Sequence, residues 1–344
     1  MKNVVTLDEI REVEIRSQDI YDRYLHLLSR DIPLLIAGLL PEERTTCPGC
    51  HGTSYQDQFE KLGFRYRTCN ACGTMFVSKR PSDAAILRYY NEAESHRFFV
   101  QEYLRGLGTS AGSRLLRARL EWLLDSIAEY DSPRRSFLDQ RSKYPSFLDR
   151  VREEGGFDTC LTARSLVDPL PIKFEDRGPL RQYSPGSLSV ITAFEFLDTL
   201  YEPDMFGRDS FRALEPDGLL FITTRTVSGF DIQMLWSESK SILPPNHVTL
   251  FSIEGLITFF QRHGFLVREL STPGQLDLEI VARWMAEKGA GGGRGGLEAF
   301  IGYLVEKRDK DAQLSFKEFL QRNRLSSHAR LVLQKPRSKE TNGL

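Results

Sequence analysis

Residues Ser136 to Arg150 read SFLDQRSKYPSFLDR, and the reading of this stretch decides the fold. A short apolar strand, Phe137 and Leu138, ends in Asp139, and a five-residue turn follows, Gln140-Arg141-Ser142-Lys143-Tyr144. A helix then opens at Pro145-Ser146 with Phe147, Leu148 and Val151 on one face. Strand, tight turn and helix set the free N–H groups of a helix N-terminus beside a small ligand. In α/β domains that bind nucleotides or cofactors such a turn is usually glycine-rich, because only glycine lets the backbone come close. This turn has no glycine, so the architecture is kept while the chemistry at its mouth is changed.

Outward from this stretch the same alternation continues. Helix 145–154 leads through Gly155-Gly156 to a strand over Phe157 to Leu161, and a proline-rich segment (Pro169, Pro171, Pro179, Pro185) precedes strand Leu188 to Ala193. Helix Asp204 to Ala213, the turn Glu215-Pro216-Asp217-Gly218 and strand Leu219 to Thr223 come next. Helix Ser252 to His263 stops at Gly264 and feeds strand Phe265 to Leu270, and Ala329 to Gln334 forms the last strand. Helices are expected around 276–287, 297–308 and 314–323, with the glycine run Gly289 to Gly296 as a flexible break. Strands alternating with helices through Gly/Pro turns predict a doubly wound, mostly parallel α/β sheet with helices on both faces.

The 344 residues allow about two domains, and 40% apolar with 27% charged residues is ordinary globular composition. A net charge of −1 gives no bulk attraction to nucleic acid or anionic lipid. The longest apolar run, Ile32 to Leu40, contains Pro33 and Gly38 and is too short to span a bilayer. The start of the chain turns acidic at once and lacks an apolar signal core, so a soluble cytoplasmic protein is expected.

Four of the five cysteines form two pairs, Cys47-Pro48-Gly49-Cys50 and Cys69-Asn70-Ala71-Cys72, eighteen residues apart. A CxxC turn brings two thiolates to one ion, and two such knuckles on adjacent hairpins close a tetrahedral Zn²⁺ site with no open position. Glycines in or just after the turns free backbone N–H groups to point at sulfur, and Tyr55, Phe59, Phe64 and Tyr66 suit the connecting strands. A structural zinc ribbon is expected; a redox dithiol pair or a lost metal are the alternatives. His51 is a bystander once four thiolates complete the shell. Cys160, in a predicted strand, reads as a small buried hydrophobe.

An amphipathic helix, or two, is expected over Leu7 to Ser29, ending near Pro33 and packing against the body or a second subunit. Three helical segments should follow the ribbon: 82–93, 96–106 and 113–130. Tyr89-Tyr90 and Phe98-Phe99 are core aromatics by default, with a substrate channel as the alternative. The organisation is thus 1–44 helical, 45–80 ribbon, 81–130 helical layer, 131–337 α/β domain with a helical insertion at 276–326, and 338–344 tail.

The FVSKRPS exit from the ribbon, ITAFEFLDTLYEP, LEPDGLLFITT, NHVTLFS, STPGQLDLEIV and LSSHARLVLQKP together resemble class I S-adenosylmethionine-dependent methyltransferases. They resemble above all a group with an N-terminal zinc ribbon, many of whose members methylate nucleotide-linked sugars. The likeness runs from about residue 45 to 337 and implies a seven-stranded Rossmann-like sheet. It implies a cofactor site at Asp139, Gln140, Arg141 and Tyr144 and, at the end of the fourth strand, Ala193, Phe194 and Glu195. It places His247 where sugar C-methylating relatives are thought to use a base.

The chain departs from that family at several of these positions. Arg141 and Pro145 stand where the family has glycines, and Cys160-Leu161-Thr162-Ala163 offers no carboxylate for the ribose hydroxyls. Asp198-Thr199 replaces the Glu-His after the fourth strand, and Pro244 and Asn246 precede His247 in place of a tyrosine and a glutamate.

Three functions are in play. The first is a methyltransferase in sugar or surface-glycan biosynthesis with an altered cofactor site. The second is an inactive relative serving as subunit, scaffold or nucleotide-sugar binder, with Arg141 and Lys143 on a diphosphate and a protein partner from the same pathway. The third, a nucleic-acid-binding ribbon, is disfavoured because only Lys61, Arg65 and Arg67 would serve it.

Overall fold

The computed structural model describes residues 1–5, 18–103, 110–140, 145–162, 179–274, 276–288 and 296–337. Its central feature is a six-stranded sheet among the described residues. Strands β1 (Tyr55–Lys61), β2 (Phe64–Cys69) and β3 (Met75–Val77) belong to the cysteine-bearing segment. The central sheet begins with β4 (Ser136–Asp139), β5 (Thr159–Thr162), β6 (Leu188–Phe194) and β7 (Leu214–Arg225). A two-residue strand, β8 (Thr249–Leu250), is followed by β9 (Leu266–Ser271) and β10 (His328–Gln334). The central order is β5-β4-β6-β7-β10-β9, parallel from β5 to β7 and antiparallel where β10 enters.

Six strands were locatable in sequence, and these six form the sheet. The seventh that the resemblance implies has no place among the described residues; 163–178, between β5 and β6, lie outside them.

Helices cover both faces, as a sheet with near-continuous apolar strands requires. Every residue of β6 is buried. Phe137, Val190, Phe221 and Val332 pack on one side under α5 (Ser110–Glu129) and α6 (Pro145–Glu154). Leu138, Ile191, Ala193, Ile222 and Leu331 face the other side, under α7 (Pro203–Ala213) and α9 (Ile253–Arg262). Ser252 caps α9 by accepting the Gly255 N–H, an N-cap worth about 1 kcal/mol.

The expected turn at Glu215 to Gly218 falls inside β7. It survives there as a register shift against β6, with Asp217 at φ +64°.

The N-terminal helix is observed as α1 (Gln18–Asp31), with 6–17 outside the described residues, and α2 (Pro33–Ile36) follows. Tyr21, Tyr24 and Leu28 of α1 are buried against Phe64 and Tyr66 of β2 and Ile242, Val248 and Leu250 of the body. The 82–93 helix is α3 (Asp83–Glu92). The 96–106 segment is α4 (Glu94–Phe98) running into a π-turn at Phe99–Tyr103, and 104–109 lie outside the described residues. Tyr89 is buried, and Tyr90, Phe98 and Phe99 pack against the same core, so these aromatics are packing groups rather than a channel lining.

Helix α8 (Phe230–Leu235), not anticipated, lies beside α10 (Asp277–Lys288), α11 (Gly296–Lys307) and α12 (Lys310–Arg322), close to the three helices expected there. No helix among the described residues is long and apolar enough to cross a membrane.

Candidate functional site

The parallel strands β4, β6 and β7 all end at one edge of the sheet, where open α/β sheets receive ligands. There the Asp139 carboxylate is buried, and its Oδ1 accepts the Thr192 hydroxyl at 2.8 Å. The Gln140 N–H donates to the Thr192 carbonyl at 2.8 Å, which turns the chain off the sheet. Gln140 is 2% exposed, and its Oε1 has no hydrogen-bond partner among the described residues. A buried amide oxygen left without a donor costs about 1–3 kcal/mol unless a ligand or water supplies one. Arg141 and Tyr144 lie outside the described residues, so this corner is defined by Asp139 and Gln140 and by the start of α6. On the neighbouring strand, Thr162 stands beside Asp139 in register, with no carboxylate at that strand's end.

At the end of β6, Ala193 and Phe194 are fully buried on opposite faces of the sheet, so only their backbone can meet a ligand. Glu195 has φ +47°, the left-handed region that non-glycine residues seldom adopt. Its N–H donates to the Thr223 carbonyl at 2.8 Å, and its carboxylate accepts from Arg119 of α5 and, at 3.3 Å, from the Thr223 hydroxyl. The Arg119 guanidinium also lies 4.9 Å over the Phe194 ring. Glu195 is therefore neither a bare ligand-facing acid nor a free surface carboxylate. Sequence reading missed Arg119, although the signal was present: Leu116, Leu120 and Leu123 share its helix face, and an arginine in a buried stripe needs a carboxylate.

The same edge extends onto β10. His328 pairs with Arg225 across the β7–β10 ladder. Burial pushes the His328 imidazole down to about 4; Arg119, Arg225 and Arg330 push the same way and Glu195 opposes them. The ring is neutral at pH 7. Arg225 reaches the Ser241 hydroxyl at 3.2 Å, and Ser241 in turn donates to Asp231 at 2.6 Å. Asp277 faces Asp231, and burial, then the Asp231 charge, raises its carboxyl to about 7.

His247 sits in the loop between α8 and β8, and its side chain is 17% exposed. Nδ1 accepts the Leu243 N–H at 3.3 Å, so the neutral ring carries its proton on Nε2, 3.8 Å from the Asp198 carboxylate. Asp198 also accepts the Arg225 N–H at 3.4 Å. Both nitrogens thus look into the protein at the end of β6 and β7.

The four expected thiolates converge. The Sγ atoms of Cys47, Cys50, Cys69 and Cys72 lie within 4.8 Å of one another, with Cys47 3.6 Å from Cys72 and Cys50 3.5 Å from Cys69. A tetrahedron with metal–sulfur bonds of about 2.3 Å has edges of about 3.8 Å, so the donor set fits Zn²⁺. The Gly49 and Gly52 N–H groups point at Cys47 and Cys50 sulfurs at 3.3 and 3.4 Å, as the turn glycines predict. His51 is not in the cluster. It binds Asp204 at 2.8 Å, and Arg262 and His263 hold the same carboxylate at 2.7 and 3.4 Å. These three partners hold the Asp204 carboxyl well below the usual range, against the opposing effect of its burial.

The cysteine knuckle is fastened to the loop that carries His247. β8 of the body completes the ribbon sheet beside β3. The Tyr66 hydroxyl of β2 donates to the His247 carbonyl at 2.8 Å, and Ser252 at the start of α9 donates to the Cys72 carbonyl.

Residues 114–270 match a family model described as a methyltransferase domain. Among solved structures, phosphoethanolamine N-methyltransferase 2 of Haemonchus contortus, in complex with S-adenosyl-L-methionine, is similar at 16% identity. That match covers 76% of this chain and 63% of the other, with a TM-score of 0.43. The methyltransferase bound to the Trm112 activator in Haloferax volcanii is similar at 12% identity over 70% and 98%, with a TM-score of 0.42. Geranyl diphosphate C-methyltransferase of Streptomyces coelicolor follows at 12%, 73% and 97%, with a TM-score of 0.39. No curated protein matches.

Proposed function

We propose that the α/β body of this chain, of which residues 114–270 match a methyltransferase-domain model, is a class I S-adenosylmethionine-dependent methyltransferase, that it binds S-adenosylmethionine at the β4–β6 corner and that it methylates a small, nucleotide-linked sugar-type acceptor. The observation that carries this reading is the pair Asp139 and Gln140. The buried carboxylate is held by Thr192, and among the described residues the adjacent amide oxygen lacks a donor, one that a bound ligand would bring. The left-handed Glu195 at the same edge agrees with it, since such conformations are retained where ligands are handled.

Bound S-adenosylmethionine supplies an electrophilic methyl group. The protein's task is then to align the acceptor, a matter of positioning more than of proton transfer. In this reading Asp139 and Gln140 orient the cofactor's polar groups, and Arg119 fixes the Glu195 carboxylate at the cleft edge. His247 orders its loop through Leu243 and Asp198. The Cys47, Cys50, Cys69 and Cys72 site holds a structural Zn²⁺ and performs no chemistry.

A second reading, a non-catalytic subunit or nucleotide-sugar binder, is favoured by Thr162 standing where a ribose-holding acid belongs and by Glu195 already being engaged. Calorimetric titration of metal-loaded protein decides between them. Micromolar binding of S-adenosylmethionine and S-adenosylhomocysteine is expected, and no heat with either sinks the enzyme reading. Protection against thermal unfolding by nucleotide-sugar diphosphates alone would favour the second.

A further inference from the structure

The helical insertion exposes a continuous apolar stripe. Leu297, Phe300 and Tyr303, one turn apart on α11, are 53%, 50% and 53% exposed, and Phe319 on α12 is 52% exposed. Phe316 bridges them, with ring centroids 6.5 Å from Phe300 and 6.3 Å from Phe319. The opposite face of α11 is already used: Ile301 and Leu304 are buried against Leu278, Val281 and Met285 of α10. A helix apolar on both faces belongs in an interior, so among the described residues the outward stripe lacks the cover its composition calls for.

We propose that this stripe is the contact between two copies of the chain. The rim decides the occupant. Where α11 ends and α12 begins, next to the stripe along the chain, exposed Lys307, Arg308 and Lys310 stand with exposed Glu306, Asp309 and Asp311, three charges of each sign, while Glu318 and Arg322 of α12 pair with each other. A membrane-binding or nucleic-acid-binding face would be basic, and a face for a strongly charged partner would carry one sign. A balanced rim of alternating sign instead complements itself under a two-fold axis, where one patch must meet its own copy. The whole-chain charge of −1 adds no appreciable repulsion between copies.

Four half-exposed large side chains offer about 400 Å² per copy, hence about 800 Å² in all, the size of a weak, reversible pair rather than an obligate dimer. The two sheet edges described above lie outside this stripe, so the inference stands whether or not the chain transfers methyl groups.

Sedimentation velocity on the full, metal-loaded chain between about 1 and 200 μM tests it, a range wide enough to reveal weak, reversible pairing. The expected result is a rise from monomer to dimer with concentration. Phe300→Glu and Phe319→Glu, each setting like charges against each other across the axis, should weaken the dimer at least tenfold, while a circular-dichroism melt confirms that each variant folds. Leu297→Ser provides a milder variant. A monomer at every concentration overturns the proposal, as does a dimer that ignores these substitutions. Phe300-dependent binding to phosphatidylglycerol vesicles by a monomeric chain also overturns it.

Discussion

The cysteine knuckle and the β4–β6 corner, the two sites on which the proposed function rests, are built in opposite ways. At the knuckle each group has a partner within the chain: four sulfurs face one another, glycine N–H groups face two of them, and Asp204 is held by His51, Arg262 and His263. At the corner, Gln140 Oε1 lacks a donor among the described residues, and the strand beside it ends in Thr162. A closed site completes itself, whereas a site for an exchangeable ligand leaves polar groups for that ligand to satisfy.

The strongest way to test the contrast is to open the closed site. Cys47→Ser, or chelation, should remove the metal and cost about 4 kcal/mol, roughly 10 °C in Tm. Hydrogen exchange should rise at 243–255 as well as at 47–72, because Tyr66 and Ser252 join the two. An unchanged melt and exchange pattern would reject a structural metal.

Next in size, Arg119→Met strands the Glu195 carboxylate and should destabilise by about 3 kcal/mol, read by urea unfolding. Adding Glu195→Gln should recover most of it; additive losses would show that the two side chains do not act as a pair.

A smaller effect is expected at the corner itself. Asp139→Asn keeps an acceptor for the Thr192 hydroxyl but removes the charge. Cofactor affinity should fall about tenfold, or about 1.4 kcal/mol, with Tm nearly unchanged, and equal affinity would remove Asp139 from the site.

The gentlest test uses pH. Asp277, raised to about 7, keeps its proton in the folded state after an unfolded aspartate has lost it near 4. Its contribution therefore falls as pH rises from about 4 to about 7 and is constant above that. Asp277→Asn should raise the urea midpoint at pH 8 and leave it unchanged near pH 4. His328, lowered to about 4, acts in the opposite sense: stability drops as pH falls from about 6.5 toward 4, because only the unfolded imidazole accepts a proton there. A midpoint flat in pH for both would contradict the burial of these groups.

The elements that sequence exposed are those with a local cause. Helix α6 begins at Pro145, as the strand-turn-helix pattern predicts, and α9 lies between a serine cap and Gly264. The four cysteines converge because CxxC spacing has few geometric solutions. What stayed hidden depends on distant partners. β8 is two residues long and has no periodicity to detect, and it exists because β3 offers an edge. Arg119 becomes part of the site only when the sheet brings Glu195 to it across 76 positions. His247 was legible as a residue but not in its hydrogen bonding, which Leu243 and Asp198 decide.

The order in which the chain is made gives the borrowed strand a consequence of its own. Ser252 joins the chain 180 positions after Cys72, and the Tyr66–His247 contact spans 181. While a ribosome builds the intervening residues, the outer edge of β3 has nothing to pair with, and bare strand edges invite mispairing. A metal captured early would keep the hairpin in shape through that wait, which makes ion supply during synthesis a determinant of yield.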